Sequence, residues 1–339
     1  MRVMRVTEFG GPEVLVLGEA PDPIAEAGQA VVDVELAGMT FVETQIRRGM
    51  DRWHKRPELP YVPGGLVAGQ VSAVGPQVDR AWLGRRVVAR TGGTGGFAER
   101  AVAAGNDLFA VPEGLGLPEA VALHSDGSTA QGLIEHARVE PGEWVLVEAA
   151  AGGVGNLLVQ LARAAGARVI GAARGSRKLK VVRELGADAV VDYSEPGWTD
   201  QVPAATAGKG PSLVFDGVGG LIGRAAFEVT ARGGRISIHG ASSGEVTRID
   251  PAEASRRAVE VIGIEQLFGF RTHAVRWAEE IMSQAAAGIV RPIIGQVFPL
   301  ERAAEAHAAV EERATVGKTL LSIRVPPPPP SAAPADPIS

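Results

Sequence analysis

The stretch from Glu143 to Ala173, EWVLVEAAAGGVGNLLVQLARAAGARVIGAA, places a strand, a glycine turn, a helix and a second strand in immediate succession. Few folds accommodate that order. Trp144-Val145-Leu146-Val147 is an apolar, β-branched run of the kind that forms a buried parallel strand, and it leads straight into Ala150-Ala151-Gly152-Gly153-Val154-Gly155. The turn is a GxGxxG pattern with alanine in its first place. Gly152 lets the backbone approach a pyrophosphate, Gly155 lets the following helix pack tightly on the sheet, and the helix N-terminus offers unpaired N–H groups at the positive end of its dipole. Val154, Leu157, Leu158, Leu161, Ala162 and Ala165 recur at helical spacing, and Gly166 ends the helix before the strand Arg168 to Ala172. A glycine-rich turn in another kind of α/β protein would not require strand, helix and strand around it. The context favours a dinucleotide, seated on Ala151, Gly152, Gly153 and Val154.

The choice of dinucleotide rests on the end of the second strand. An NAD site places an acid there, about twenty residues past the turn, to hold the ribose 2′-hydroxyl. This chain instead reads Ala172-Ala173-Arg174-Gly175-Ser176-Arg177-Lys178. Cationic and hydroxyl donors at that place suit a 2′-phosphate and favour NADPH, with Arg174 and Lys178 as its ligands. The other reading of Arg177, Lys178 and Lys180 is a solvated helix face.

AAAGGVGNLLVQLARAAGARVIGAARGSRKL resembles the zinc-free quinone oxidoreductase branch of the medium-chain dehydrogenase/reductase superfamily. The resemblance continues through EFGGPEVL, AGMTFVETQIRRG with LPYVPGGLVAG, VFDGVGG and AHAAVEERATVGKTLL, leaving out only the last fifteen or so residues. It implies an α/β chain in two domains. A GroES-like β-barrel domain spans 1–122 and is completed by 290–325, and a Rossmann domain with a doubly wound parallel sheet spans 123–289. The sequence fits this division: short β-like runs such as Ala30 to Ala37 and Arg86 to Ala89 alternate with glycine turns early in the chain. Ala187 to Val191, Leu213 to Phe215, Arg235 to Ile238 and Val259 to Ile264 then alternate with helical segments. The last of these runs has no parallel strand after it and is expected at the sheet edge, where the resemblance implies a homodimer sharing one continuous sheet.

By the same resemblance Tyr193 lies near the 2′-phosphate, and Gly219 and His239 line the cofactor. Gly240, Ala241, Leu267 and Phe268 fall beside the nicotinamide half, and Thr129 matches a family hydroxyl position. Tyr193 and Phe268 also fit simple packing roles, and Ser125 or Asp126 fits a helix cap. Thr40 stands where relatives carry an amide, and the tyrosine that many relatives have after the RxG turn is missing from Arg48-Gly49-Met50-Asp51-Arg52-Trp53-His54. Thr40, Trp53 and His54 are therefore the candidate catalytic residues, the last two as a donor or an aromatic wall.

Composition narrows the chemistry. The chain has no cysteine, which excludes disulfides, thiolate nucleophiles and iron–sulfur clusters and removes the usual ligands of catalytic and structural zinc. Its six histidines are scattered without ligand spacing. A net charge of −5 over 339 residues gives no nucleic-acid footprint. The opening MRVMRVTEFGG lacks an apolar signal core, and no run of eighteen apolar residues exists to span a membrane, so the cytoplasm is expected. Hydride transfer without a metal suits a conjugated acceptor, because charge arriving at the oxygen of an enone or quinone needs only a few donors, whereas a simple alcohol or aldehyde would want a Lewis acid. The expected activity is NADPH-dependent reduction of a small quinone or of the C=C bond of an α,β-unsaturated carbonyl. The alternative is a catalytically silent NADPH-binding structural or sensing protein, motivated by the altered Thr40 and the missing tyrosine. The proline-rich tail, 326–339, is expected to be extended and solvated.

Overall fold

Six short apolar runs assemble into one parallel sheet, in the spatial order Ala189–Asp192, Arg168–Ala173, Trp144–Val147, Leu213–Asp216, Arg235–Ile238 and Glu260–Ile262. The first strand in sequence lies inside the sheet and the chain winds outward from it in both directions, so a crevice opens at the carboxyl ends where the direction reverses. Val145, Leu146, Val147, Leu213, Val214 and Phe215 are fully buried, as strands covered on both faces must be. The helix Gly153–Ala164 turns Leu157, Leu158, Leu161 and Ala162 inward and stops at Gly166, whose φ of +84° suits glycine. As expected for the last strand, Glu260–Ile262 forms one sheet edge, with Val261 exposed.

The computed structural model describes residues 1–324, in two units. The sheet just described belongs to residues 112–293 together with 316–318, and the rest of the described chain makes the other unit. That second unit is built on the strand Gln29–Met39, which pairs antiparallel with Leu66–Val74 along one side and with Arg100–Ala104 and Lys318–Ser322 along the other. Register shifts at Val31/Val32 and Val34/Leu36 bend this strand, as bulges do, and let it serve three partners. Ile294–Pro299, Arg86–Arg90 and Leu108–Ala110 extend the sheet, around a core that includes Val32, Val34, Val67, Val71, Val87, Phe97 and Leu321. The first stretch of this second unit runs to Val111, short of 122, and Leu117–Ala122 already belongs to a run of helical turns that continues to His136. No helix among the described residues is long and apolar enough to cross a membrane. The proline-rich tail lies outside the described residues.

Candidate active site

The strand Trp144–Val147 delivers the chain into the glycine turn. Gly152 caps the helix Gly153–Ala164 in an extended conformation and, being a glycine, makes no side-chain cap bond. N–H groups at a helix start of this kind can receive an anion. Gly155 is required here by close approach: a Cβ on it would meet the carbonyl oxygen of Ala149 at 2.2 Å, so helix and turn pack backbone to backbone. Asn156, 1% exposed, donates to the carbonyls of Gly152 and Gly153 at 2.7 and 2.6 Å and accepts from the N–H of Ile293 at 3.2 Å, which fixes the turn. Ala151 is buried, whereas Gly152, Gly153 and Val154 are only partly covered.

At the neighbouring strand end Arg174 is exposed and Lys178 is half-buried, the latter on the helix Ser176–Glu184. The N–H of Gly175 donates to Asp192 at 2.7 Å. Asp192 ends the next strand and also accepts from the N–H and hydroxyl of Ser194. Burial pushes this carboxyl up, but the bonds from Ser194 and Gly175 and the nearby charge of Arg174 outweigh it and hold the group below the usual carboxylate range. Tyr193 is half-buried against the sheet core.

The third strand end carries a fully buried carboxylate. Asp216 accepts from the N–H groups of Val218 and Gly219 at 3.0 and 2.7 Å, and from the hydroxyl of Thr247 at 2.5 Å. These bonds shape the loop in which Gly219 takes a φ of +77°. Gly240 lies so close to this loop that a Cβ would meet the carbonyl oxygen of Gly217 at 2.5 Å. Glu148, fully buried after Trp144–Val147, faces Asp216 without a well-formed hydrogen bond at either oxygen. Burial, then the Asp216 charge, raise its carboxyl well above the ordinary value. His239, half-buried beside Gly217, is lowered by burial against the pull of Asp216 and is neutral at pH 7. Ala241 is half-buried, as is Leu267 in the short helix Gln266–Gly269, while Phe268 is exposed.

One local expectation fails. Ser125 and Asp126 cap no helix, because Leu123–Gly127 is a wide helical turn that runs without a break into Ser128–His136. Ser128 and Thr129 return their hydroxyls to the carbonyls of His124 and Ser125, and Asp126 accepts from Lys318 Nζ at 3.0 Å. In the second unit Thr40 is the N-cap of Phe41–Arg47, its hydroxyl and N–H both engaged with Glu43. Trp53 and His54 are exposed on a bend held by Asp51, which accepts from both backbone N–H groups and from His54 Nδ1 at 3.2 Å. The sequence reading singled out neither Asn156, Glu148, Asp192 nor Lys318.

Two family profiles match the chain, "Alcohol dehydrogenase GroES-like domain" over residues 26–113 and "Zinc-binding dehydrogenase" over 153–283. The residues present do not fit the metal in the second description: the chain has no cysteine, and the described residues hold no cluster of three or more acids and histidines able to bind an ion. The human protein "Quinone oxidoreductase" is 33% identical over 324 residues, covering 95% of this chain and 97% of its own. The structure of Escherichia coli quinone oxidoreductase complexed with NADPH superposes with a TM-score of 0.87 at 28% identity, over 95% of this chain and all of that one. The quinone oxidoreductase of Thermus thermophilus, also described with NADPH, gives a TM-score of 0.78 at 32% identity over the same shares.

Proposed function

The chain belongs to the zinc-free quinone oxidoreductase branch of the medium-chain dehydrogenase/reductase superfamily, and from that premise we propose that it is an NADPH-dependent oxidoreductase that reduces a small quinone or the C=C bond of an α,β-unsaturated carbonyl without a metal. The observation that carries the cofactor reading is the uncapped helix start at Gly152–Val154 with Arg174 and Lys178 at the next strand end. The seat takes the diphosphate on backbone N–H groups, and the two cations take the 2′-phosphate, with Tyr193 beside them. Gly219, His239, Gly240 and Ala241 form the wall toward the nicotinamide. Gly240 packs backbone to backbone on Gly217, which leaves no room for a side chain at that contact and holds the two loops together. Leu267 and Phe268 supply apolar cover.

When bound, NADPH supplies the hydride. The chain's own task is to hold the acceptor and to meet the charge that develops on its oxygen. Thr40 has its hydroxyl committed to the helix cap and serves by fixing the start of Phe41–Arg47. Trp53 and His54 are the donors we assign to the acceptor side. The contact of His54 Nδ1 with Asp51 orients the ring and leaves Nε2 as the nitrogen free to face an acceptor. We further propose a homodimer formed along the exposed edge strand Glu260–Ile262.

The test is NADPH consumption against a matched panel of short enones, enoyl thioesters and simple quinones, with NADH in parallel. Turnover of either acceptor class with NADPH is expected. Turnover of enones or enoyl thioesters assigns a C=C reductase, and turnover of quinones alone assigns a quinone reductase. Tight NADPH binding with no turnover of any acceptor would overturn the enzyme reading in favour of a silent binding protein.

A further inference from the structure

Lys318 and Asp126 form an ion pair at 3.0 Å with side chains only 3% and 13% exposed. The carboxylate lies at the start of the helix Gly153–Ala164. A Cβ placed on Gly153, the first residue of the helix at the anion seat, would lie 2.1 Å from Asp126 Oδ2. The carboxylate therefore abuts the backbone on which a diphosphate would rest, where a second negative charge works against binding. Lys318 is delivered to the same place by its own backbone, since the N–H of Gly317 donates to the Ala151 carbonyl at 2.7 Å and that of Lys318 to Ile293. The turn does not need the pair for its shape, because Asn156 already holds the carbonyls of Gly152 and Gly153.

We propose that the Asp126–Lys318 pair sets how tightly this seat holds the cofactor: Asp126 weakens the diphosphate's grip and so speeds release of the spent dinucleotide, and Lys318 limits that repulsion by neutralising the carboxylate. The inference rests on the cofactor reading above and adds two positioning residues to it. An interaction between unit charges at short range in partly hydrated surroundings changes a dissociation constant by roughly three- to tenfold. Asp126→Asn keeps the shape and an acceptor for Lys318 while removing the charge.

Binding of NADPH to the full chain, followed by quenching of tryptophan fluorescence, separates the possibilities. Asp126→Asn should tighten binding roughly three- to tenfold and slow NADP+ dissociation by a similar factor. Lys318→Met should weaken binding about tenfold or more, and the double variant should return close to wild type. Unchanged or weaker binding by a folded Asp126→Asn, in a protein whose wild type binds NADPH, would reduce the pair to a structural contact. Failure of the wild type to bind NADPH would instead remove the cofactor reading itself. If Lys318→Met does not fold, the sign of the Asp126→Asn effect still decides.

Discussion

Replacing His307 by glutamine should flatten the acid side of the stability profile. His307 sits on the helix Ala303–Glu311 with no exposed surface, edge-on to Phe97 at 5.9 Å between ring centres, and neither ring nitrogen has a hydrogen-bond partner. The nearby Arg47 guanidinium is equally buried and pairs with Glu311. Burial first, and the Arg47 charge second, push the imidazole down to about 3 from an ordinary 6.5. Tyr61, pushed up to about 12 by burial, does not titrate in the acid range. The native state therefore keeps His307 neutral while the unfolded chain takes up a proton below pH 6.5. Stability is at its full value above 6.5 and falls by about 1.4 kcal/mol for each pH unit down to about 3, a total of about 5 kcal/mol. That is a large share of the roughly 5–15 kcal/mol that holds a typical domain together. Glutamine cannot titrate, so its own packing cost, set at pH 8, stays constant while the wild type loses ground. Between pH 6.5 and 4.5 the gap between the two should narrow by about 2.7 kcal/mol, read from urea midpoints followed by circular dichroism. Parallel profiles over that window would refute the reasoning.

Arg174→Ala should weaken NADPH about tenfold while leaving NADH nearly unchanged, because only NADPH carries the 2′-phosphate; equal losses in paired titrations would sink the assignment. Glu148 has the opposite linkage from His307: its raised carboxyl keeps a proton in the folded state that the unfolded chain releases, so stability falls as pH rises from its ordinary value toward the folded one. Glu148→Gln should consequently gain on the wild type by up to about 1.4 kcal/mol per pH unit over that span, measured by urea unfolding, and no gain would mean that Glu148 is ionised.

Local chemistry made the dinucleotide turn readable. Strand, glycines and helix follow one another within thirty or so residues, and Gly152 and Gly155 both answer to a contact inside that segment, with Ala149. The edge position of Glu260–Ile262 was legible for a related reason, since nothing after it offers a seventh parallel strand. Ser125 and Asp126 misled because the residues that start a helix are the same ones that tolerate a widened turn within one, and only tertiary packing decides between them. The partners that matter at long range left no trace in spacing: Asp126 meets Lys318 across 192 residues, and Arg47 meets Glu311 across 264. Glu148 was hidden differently. It directly follows an apolar strand, where a charged residue would ordinarily be turned to solvent, and only burial beside Asp216 raises its carboxyl well above the ordinary value.

Asp192, Asp216 and Glu148 lie at the carboxyl ends of the strands and Asp126 beside the start of Gly153–Ala164, and the structure disposes of the first three without a direct ion pair. Asp192 is held by Gly175 and Ser194, and Asp216 is held by two backbone N–H groups and Thr247, so both are turned into scaffolding for the loops that carry them. Burial raises the Glu148 carboxyl well above its ordinary value. Asp126 alone among these four is bonded to a side-chain cation, which can be removed or supplied without dismantling a loop. If cofactor affinity in this fold is set anywhere by charge rather than by shape, the Asp126–Lys318 contact is the place where a single substitution can move it in either direction.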